Sequence, residues 1–237
     1  MAAIRDKAKK FQKFLHGLRD KHPQALNEPE RPLVERFVFY LLLYSNPAAN
    51  ARKAVKTLTN DQLFASWNEV RVSTVRELTE VLEEAKVGPA EFLAPRLKQF
   101  LQKVFEEADD TALEPLRERV EQTEKAQQKK VLLEKLRKFL GELPGIPPWG
   151  PTYLMTGLGI DPQLPWDPAT EAVLEEQKLF PPKSTLVQKK RIAKALMDGL
   201  EGMDLLDAHH LMVEHWKQSG GGSGNGTGPT KSPPKRA

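Results

Sequence analysis

The stretch that decides the fold is Leu143-Pro144-Gly145-Ile146-Pro147-Pro148-Trp149-Gly150-Pro151. Its prolines and glycines predict a tight turn between two helical segments. A second Pro-rich loop follows at Gly159–Trp166, and then Asp167 and Pro168 have the residue types of a helix N-cap and a first helical position. The pattern here is therefore helix, turn, helix, loop and helix.

The rest of the chain also favours helices. The predicted segments are 4–21, 31–45, a short helix from an Asn60-Asp61 cap to Asn68, 73–86, 90–107, 112–140, 152–158, 184–200 and 204–217. The second of them contains the continuous apolar run Phe37–Leu43, which predicts a buried central helix. Because no run alternates apolar and polar residues with β-branched enrichment, no strand is predicted and the fold class is all-α.

Composition excludes several classes of protein. The chain has 237 residues, of which 39% are hydrophobic and 29% charged, as in soluble globular proteins. It lacks both an apolar run long enough to span a membrane and the apolar core of a secretory signal. The absence of Cys excludes disulfides, thiolate nucleophiles and cysteine-ligated zinc or iron–sulfur sites. We expect a cytoplasmic protein, nucleoid-associated if its source is bacterial, with no membrane partner.

Charge is concentrated at the two ends of the chain. Segment 1–22 has a net charge of +5 and segment 219–237 has +3, which leaves −4 for the body between them and +4 overall. Affinity for polyanions is therefore expected from local patches. The Gly-rich segment 219–237 is predicted to be a disordered tail, either merely solvated or acting as an arm that seeks polyanions.

Three motifs together resemble the helix-hairpin-helix DNA glycosylase superfamily, which includes endonuclease III and the alkyl-purine glycosylases. Its hairpin reads Leu-Pro-Gly-hydrophobic-Gly and is followed by an essential Asp; here Leu143 and Asp167 are 24 positions apart. The segment Asp207-Ala208-His209-His210, with His215 beyond it, resembles a His-rich helix of the endonuclease III branch. Leu42-Leu43-Tyr44-Ser45-Asn46 resembles a helix whose last side chain enters DNA. The resemblance covers residues 30–217.

The resemblance implies one glycosylase-like domain, 1–218, with a DNA cleft between a central subdomain (about 43–166) and a second subdomain (1–42 plus 168–217). In it, Asp167 would stabilise the cationic sugar that forms as a damaged base leaves. Trp149 and Asn46 would contact the flipped base or the duplex. Phosphate contacts would come from Gly145, Ile146, Gly150, Lys189, Lys190 and Arg191. The implied protein is a monomer that binds double-stranded DNA, without cofactor or metal.

The chain also departs from the family pattern. Trp149 occupies the position of the Lys that forms a Schiff base in the bifunctional branch, so lyase chemistry there is not expected. Pro147 and Pro148 have no N–H, which weakens a phosphate clamp. The cysteine loop after the His-rich helix is missing, so we expect His209 and its neighbours to be structural.

Two functions remain open. The first is a monofunctional DNA glycosylase of base excision repair, and the second is a non-catalytic relative that binds DNA or a protein. A glycosylase requires Asp167 to face an open cleft that admits a base, whereas a plain helix cap does not. Trp149 equally fits packing within the hairpin, and the basic run 183–194 fits a solvated helix face. The charged segment 112–140 is either a partner surface or simply a long helix.

Overall fold

The computed structural model describes residues 2–26, 28–60, 62–198, 200 and 203–220, with side chains described from residue 6 onward. Within these ranges every regular element is a helix, so the all-α prediction is confirmed. Asp61 and the tail beyond Gly220 lie outside the described residues. None of the described helices combines the length and the apolar character needed to cross a bilayer.

Twelve α-helices and one short 3₁₀ helix occur in the described part of the chain. The 3₁₀ helix is Pro23–Ala25, and the α-helices are α1 (Ala2–Lys21), α2 (Leu33–Ser45), α3 (Ala48–Leu58), α4 (Trp67–Val72), α5 (Val75–Glu84), α6 (Ala90–Ala108), α7 (Glu114–Glu121), α8 (Ala126–Glu142), α9 (Gly150–Gly157), α10 (Pro168–Glu176), α11 (Leu186–Met197) and α12 (Leu205–Gln218).

Two of the helix predictions are wrong, and one helix was not predicted. No helix begins at Asn60; instead α4 begins at Trp67, where the Ser66 side chain accepts a hydrogen bond from the Glu69 amide. The unpredicted helix is α3, which starts directly after Pro47. The single helix expected over 112–140 is broken into α7 and α8, and at the break the Thr123 hydroxyl donates to the Arg119 carbonyl. Such side-chain bonds compete with helix continuation.

Buried side chains form two apolar clusters with α12 between them. The larger draws on α2 to α9, and the smaller on α1, α10, α11 and α12. From α12, Leu206 and Val213 join the larger cluster, whereas Leu211 and Met212 join the smaller one. These pairs lie on opposite sides of a helix with 3.6 residues per turn. Residues of α2 on both sides of position 42 belong to the larger cluster. The division into a central subdomain (about 43–166) and a second one (1–42 plus 168–217) stays a prediction.

Close packing of α9 against α2 fixes the position of the turn that precedes α9. A Cβ added at Gly157 would lie 2.3 Å from Leu33 Cδ1, so the Leu33 side chain packs directly on the glycine and a larger residue there would have to displace it. Since α9 begins at Gly150, this contact also holds Trp149 close to the middle of α2. Packing of α9 on the Leu33 side chain thus brings the turn to the buried polar residues of α2 and α12.

Candidate functional site

The predicted turn joins α8 to α9. The Leu143 carbonyl accepts from the Ile146 amide at 3.1 Å, and the Pro147 carbonyl accepts from the Gly150 amide at 2.8 Å. Gly145 is exposed and has φ +75°, a left-handed conformation that favours glycine. Two of the amides expected to hold a phosphate, those of Ile146 and Gly150, therefore donate within the turn itself.

Asp167 begins α10 and is fully enclosed, since its side chain is 0% exposed. Oδ1 accepts from the Thr170 amide at 2.6 Å, which is the predicted N-cap bond. Oδ2 accepts from the Tyr40 hydroxyl at 2.9 Å and lies 2.9 Å from His209 Nε2. One carboxylate thus connects α10 to α2 and α12.

The neighbours of Asp167 keep it ionised. Burial by itself raises the pKa of the Asp167 carboxyl, but His209 and the hydrogen bonds from Thr170 act in the opposite direction, and the net pKa lies below its usual value. Burial and the nearby Asp167 charge raise the pKa of the Tyr40 hydroxyl well above its ordinary value, so Tyr40 remains a donor. The His209 Nδ1 atom is also buried, and it has no hydrogen-bond partner among the described residues.

His210 and Tyr153 form a second buried polar contact, beside that of Tyr40 with Asp167. The Ala25 carbonyl is an obligatory acceptor 3.0 Å from His210 Nδ1, so Nδ1 carries the proton and Nε2 accepts from the Tyr153 hydroxyl at 3.0 Å. Burial lowers the pKa of His210 well below its ordinary value, which keeps the ring neutral. The rings of Tyr40, Tyr153 and His210 stack with centroids 4.8 to 5.6 Å apart. This stack joins α2, α9 and α12.

The histidines do not form a metal centre. His209 Nε2 faces Asp167 and His210 Nδ1 faces the Ala25 carbonyl, whereas His215 is half-buried and lies 3.2 Å from Glu176. Over the part of the chain that the structure describes, no group of three His, Asp, Glu or Cys side chains is arranged to hold a metal ion.

Trp149 packs against Tyr40 and His209, the two residues that contact Asp167 Oδ2. It is 7% exposed, its ring meets the edge of Tyr40 at 4.7 Å between centroids, and it lies 5.6 Å from the half-buried Tyr44. Burial and the charge of Asp167 also raise the pKa of the Tyr44 hydroxyl, which reflects how near the two groups lie. In this conformation the Asp167 side chain has no exposed surface. It therefore does not face a cleft that admits a base.

Asn46 is buried at the end of α2, where both ends of its amide are used. Its Nδ2 donates to the Leu42 carbonyl and its Oδ1 accepts from the Gly88 amide, each at 2.9 Å. Lys217, which the sequence did not single out, donates to the Leu43 and Asn46 carbonyls at 2.7 Å. The Leu43 carbonyl also accepts from the Asn46 amide at 3.4 Å, and Lys217 thus adds a side-chain cap to the C-terminal end of α2.

The three predicted basic contacts differ in their surroundings. Lys189 is turned toward α10, where its Nζ lies 2.7 Å from Glu171 and 2.5 Å from Glu175, and only 16% of its side chain is exposed. Lys190 and Arg191 are exposed on α11, which contains no acidic residue.

Helix α11 packs against the other strongly basic helix, α1. Together these two helices hold eleven Lys or Arg and two Asp, a net charge of +9, compared with +4 for the whole chain. Positive charge is therefore concentrated where two neighbouring helices cover the smaller apolar cluster.

Tyr40, like Tyr153 and Lys217, is a site residue that sequence reasoning missed. It lies inside the apolar run Phe37–Leu43 and is the only residue of that run with a polar side-chain atom. A buried Tyr hydroxyl normally finds a hydrogen-bond partner, so this oxygen was the available signal. The identity of the partner depends on helix packing.

Comparison with protein-family models and with curated proteins found no match to this chain.

Proposed function

We propose that this protein is a non-catalytic, double-stranded DNA-binding relative of the helix-hairpin-helix glycosylases. The observation that carries the proposal is the net charge of +9 on the packed helices α1 and α11. Lys and Arg that neutralise DNA phosphates release condensed counterions, and this release supplies most of the affinity of sequence-independent binding. The remainder of the chain is acidic overall, so duplex DNA is attracted mainly to this region.

The exposed basic residues of α11 are the best-placed contacts. Lys190, Arg191 and Lys194 are exposed and share α11 with no carboxylate, whereas Lys189 is neutralised by Glu171 and Glu175. The turn before α9 is a weaker contact, because two of its amides donate internally. We therefore expect α11 to contribute more to the affinity than the hairpin.

The enclosure of Asp167 supports the non-catalytic form of the proposal. A carboxylate that stabilises a cationic sugar must lie beside that sugar, in a site shaped for the transition state. Both oxygens of Asp167 instead make hydrogen bonds within the protein, and its side chain has no exposed surface.

The test is the salt dependence of binding to a fluorescent DNA duplex. For the wild type we expect binding at low salt that weakens steeply as salt rises. The triple variant Lys190→Glu, Arg191→Glu, Lys194→Glu should bind more weakly, and its slope of log K against log salt should be smaller by about 3. The matched control carries the same charge change on α8, as Lys129→Glu, Lys130→Glu, Lys135→Glu, at positions that are also exposed.

Two outcomes contradict the proposal. If the α8 variant loses as much affinity as the α11 variant, binding follows net charge and has no defined surface. If the wild type does not bind the duplex at low salt, the DNA-binding function itself is refuted.

A monofunctional DNA glycosylase is the second candidate function. The favouring observation is that Asp167 stays ionised among aromatic rings, with Tyr44 only half-buried above it. Movement of Tyr44 and Trp149 would open space in which a flipped base stacks on aromatic faces. Asp167 would then stabilise the developing sugar cation as water attacks and the base leaves.

The test of this candidate is base release from duplexes that contain an alkylated purine, an oxidised base or a deaminated base. A glycosylase releases one of these bases and loses roughly 10²-fold or more of its rate in Asp167→Asn. It also forms no borohydride-trapped adduct at Trp149, because Trp has no amine. If the wild type binds duplex DNA and releases no base from any substrate, the non-catalytic function is supported.

A further inference from the structure

A groove with a volume of about 470 Å³ lies between α1 and the C-terminal end of α12. This volume falls within the range of about 300 to 1,000 Å³ that is usual for ligand sites. Its apolar surface comes from Phe14 and Leu18, and the Phe14 ring meets His215 edge-on at 5.2 Å between centroids. The groove is far from α10's N-cap, since its α10 contribution is Gln177, which follows the last turn of that helix.

The rim of the groove is basic. Lys10, Lys13 and Lys21 are exposed and line it, together with the half-buried His22. Among the described residues that line the groove, none is acidic. Lys10 and Lys21 are separated by about three helical turns, and Lys13 follows Lys10 by slightly less than one turn, so the three lysines lie along one side of α1.

An apolar floor and a basic rim together select the occupant. DNA phosphates would use the lysines but would not cover the apolar surface of Phe14. The chain's own tail, 219–237, carries three basic residues and no acidic ones, so the lysines repel it. A protein segment in which a bulky apolar side chain is flanked by Asp or Glu uses both features, since its apolar group covers Phe14 and its carboxylates approach the lysines.

We propose that this groove, lined by Lys10, Lys13, Phe14, Leu18 and Lys21, is a docking site for an acidic segment of a partner protein with a bulky apolar residue at its centre. The site is separate from the exposed basic residues of α11. The protein would in this way hold a second protein beside the region that attracts DNA, since the lysines of α1 contribute to the positive charge of both. The docking site does not depend on the proposed DNA-binding function.

The experiment is a fluorescence-anisotropy titration of the full chain with a short labelled peptide that has a central Phe-Leu pair flanked on both sides by Glu. Two control peptides replace Glu with Gln or the Phe-Leu pair with Ser-Ser. We expect each change to weaken binding by about tenfold, because each removes one half of the complementarity.

Protein variants test the location. Lys13→Glu should weaken binding of the Glu/Phe-Leu peptide by about tenfold, since it reverses a charge on the rim. Lys9→Glu is the matched control: it makes the same change on the same helix, at an exposed residue that does not line the groove. It should retain binding, as should the α11 triple variant used for the DNA test.

The proposal is overturned if the peptide does not bind, if the Gln or Ser-Ser peptide binds equally well, or if Lys9→Glu loses as much affinity as Lys13→Glu. Displacement of the peptide by duplex DNA from the wild type, together with loss of DNA affinity only in Lys13→Glu, would make the groove a nucleic-acid site. Sedimentation that shows a wild-type dimer and a Lys13→Glu monomer would assign it to a second copy of the chain. Either result refutes docking of an acidic partner.

Discussion

Asp167 and the basic residues of α11 are charged groups in opposite situations. Asp167 is enclosed, keeps its charge through His209 and Thr170, and joins three helices. Lys190 and Arg191 lie in solvent with no acidic residue on their helix. Asp167 has the features of a catalytic group, but in this structure its side chain joins helices. Lys190 and Arg191 resemble an ordinary solvated helix face, and their exposure leaves them accessible to a ligand.

The largest effect is expected from His209→Ala. The change removes the ring beside an enclosed carboxylate and leaves the charge of Asp167 with less compensation, so the free energy of unfolding should fall by about 3 kcal/mol or more. Urea unfolding at neutral pH measures this. His215→Ala, on the same helix but half-buried beside Glu176, is the control and should cost clearly less. Equal losses in the two variants would show that the contact with Asp167 has no special weight.

Asp167→Asn should have a smaller but definite effect. The new amide oxygen can still accept from Thr170, but its NH₂ group would face the Tyr40 hydroxyl and His209 Nε2, where a charged acceptor stood. We expect a loss of about 1 to 3 kcal/mol of stability, the cost of an unsatisfied buried polar group. The matched control is Asp204→Asn, an exposed N-cap of α12 whose function an amide preserves. If both variants unfold at the same urea concentration, Asp167 is a cap and nothing more.

His210 should make stability depend on pH. Its pKa is depressed in the folded protein, so above its unfolded pKa of about 6.5 it is neutral in both states and adds no pH dependence. Below that pH the unfolded chain takes up a proton that the folded protein does not, and stability should fall with a slope of up to about 1.4 kcal/mol per pH unit. In His210→Gln this slope, between about pH 6.5 and about pH 5, should flatten. The control is His16→Gln, at a half-buried histidine of α1, and this variant should keep the slope of the wild type.

The smallest effect on stability is expected from changes to the exposed basic residues of α11. The α11 triple variant replaces residues that make no ion pair among the described contacts, so its urea midpoint should match that of the wild type while its affinity for duplex DNA falls. Circular dichroism and the DNA titration measure the two quantities on one sample. A fall in the urea midpoint as large as that of Asp167→Asn would mean that the basic residues of α11 are structural. The difference between them and Asp167 would then not hold.

The sequence predicted local features well and failed where features depend on more distant contacts. The turn at Leu143–Trp149 and the N-cap at Asp167 were both predicted from residues that lie next to one another in the chain. Helix α3 was missed, and α7 and α8 were merged, because the apolar periodicity of a single segment does not say which turns pack against a core. The role of Lys217 could not be predicted either, since the carbonyls it caps lie more than 170 positions away.

The sequence by itself determined that the chain is helical, where the turn before α9 lies, and that Asp167 starts a helix. These properties follow from backbone preferences and from hydrogen bonds between residues about one turn apart. The tertiary structure alone decided that Asp167 is closed off from solvent. Its partners Tyr40 and His209 are 127 and 42 positions away, and they reach the carboxylate only because α2 and α12 pack beside α10. Burial is a property of the packed helices, and the same residues on a surface helix would have left the carboxylate open to a substrate.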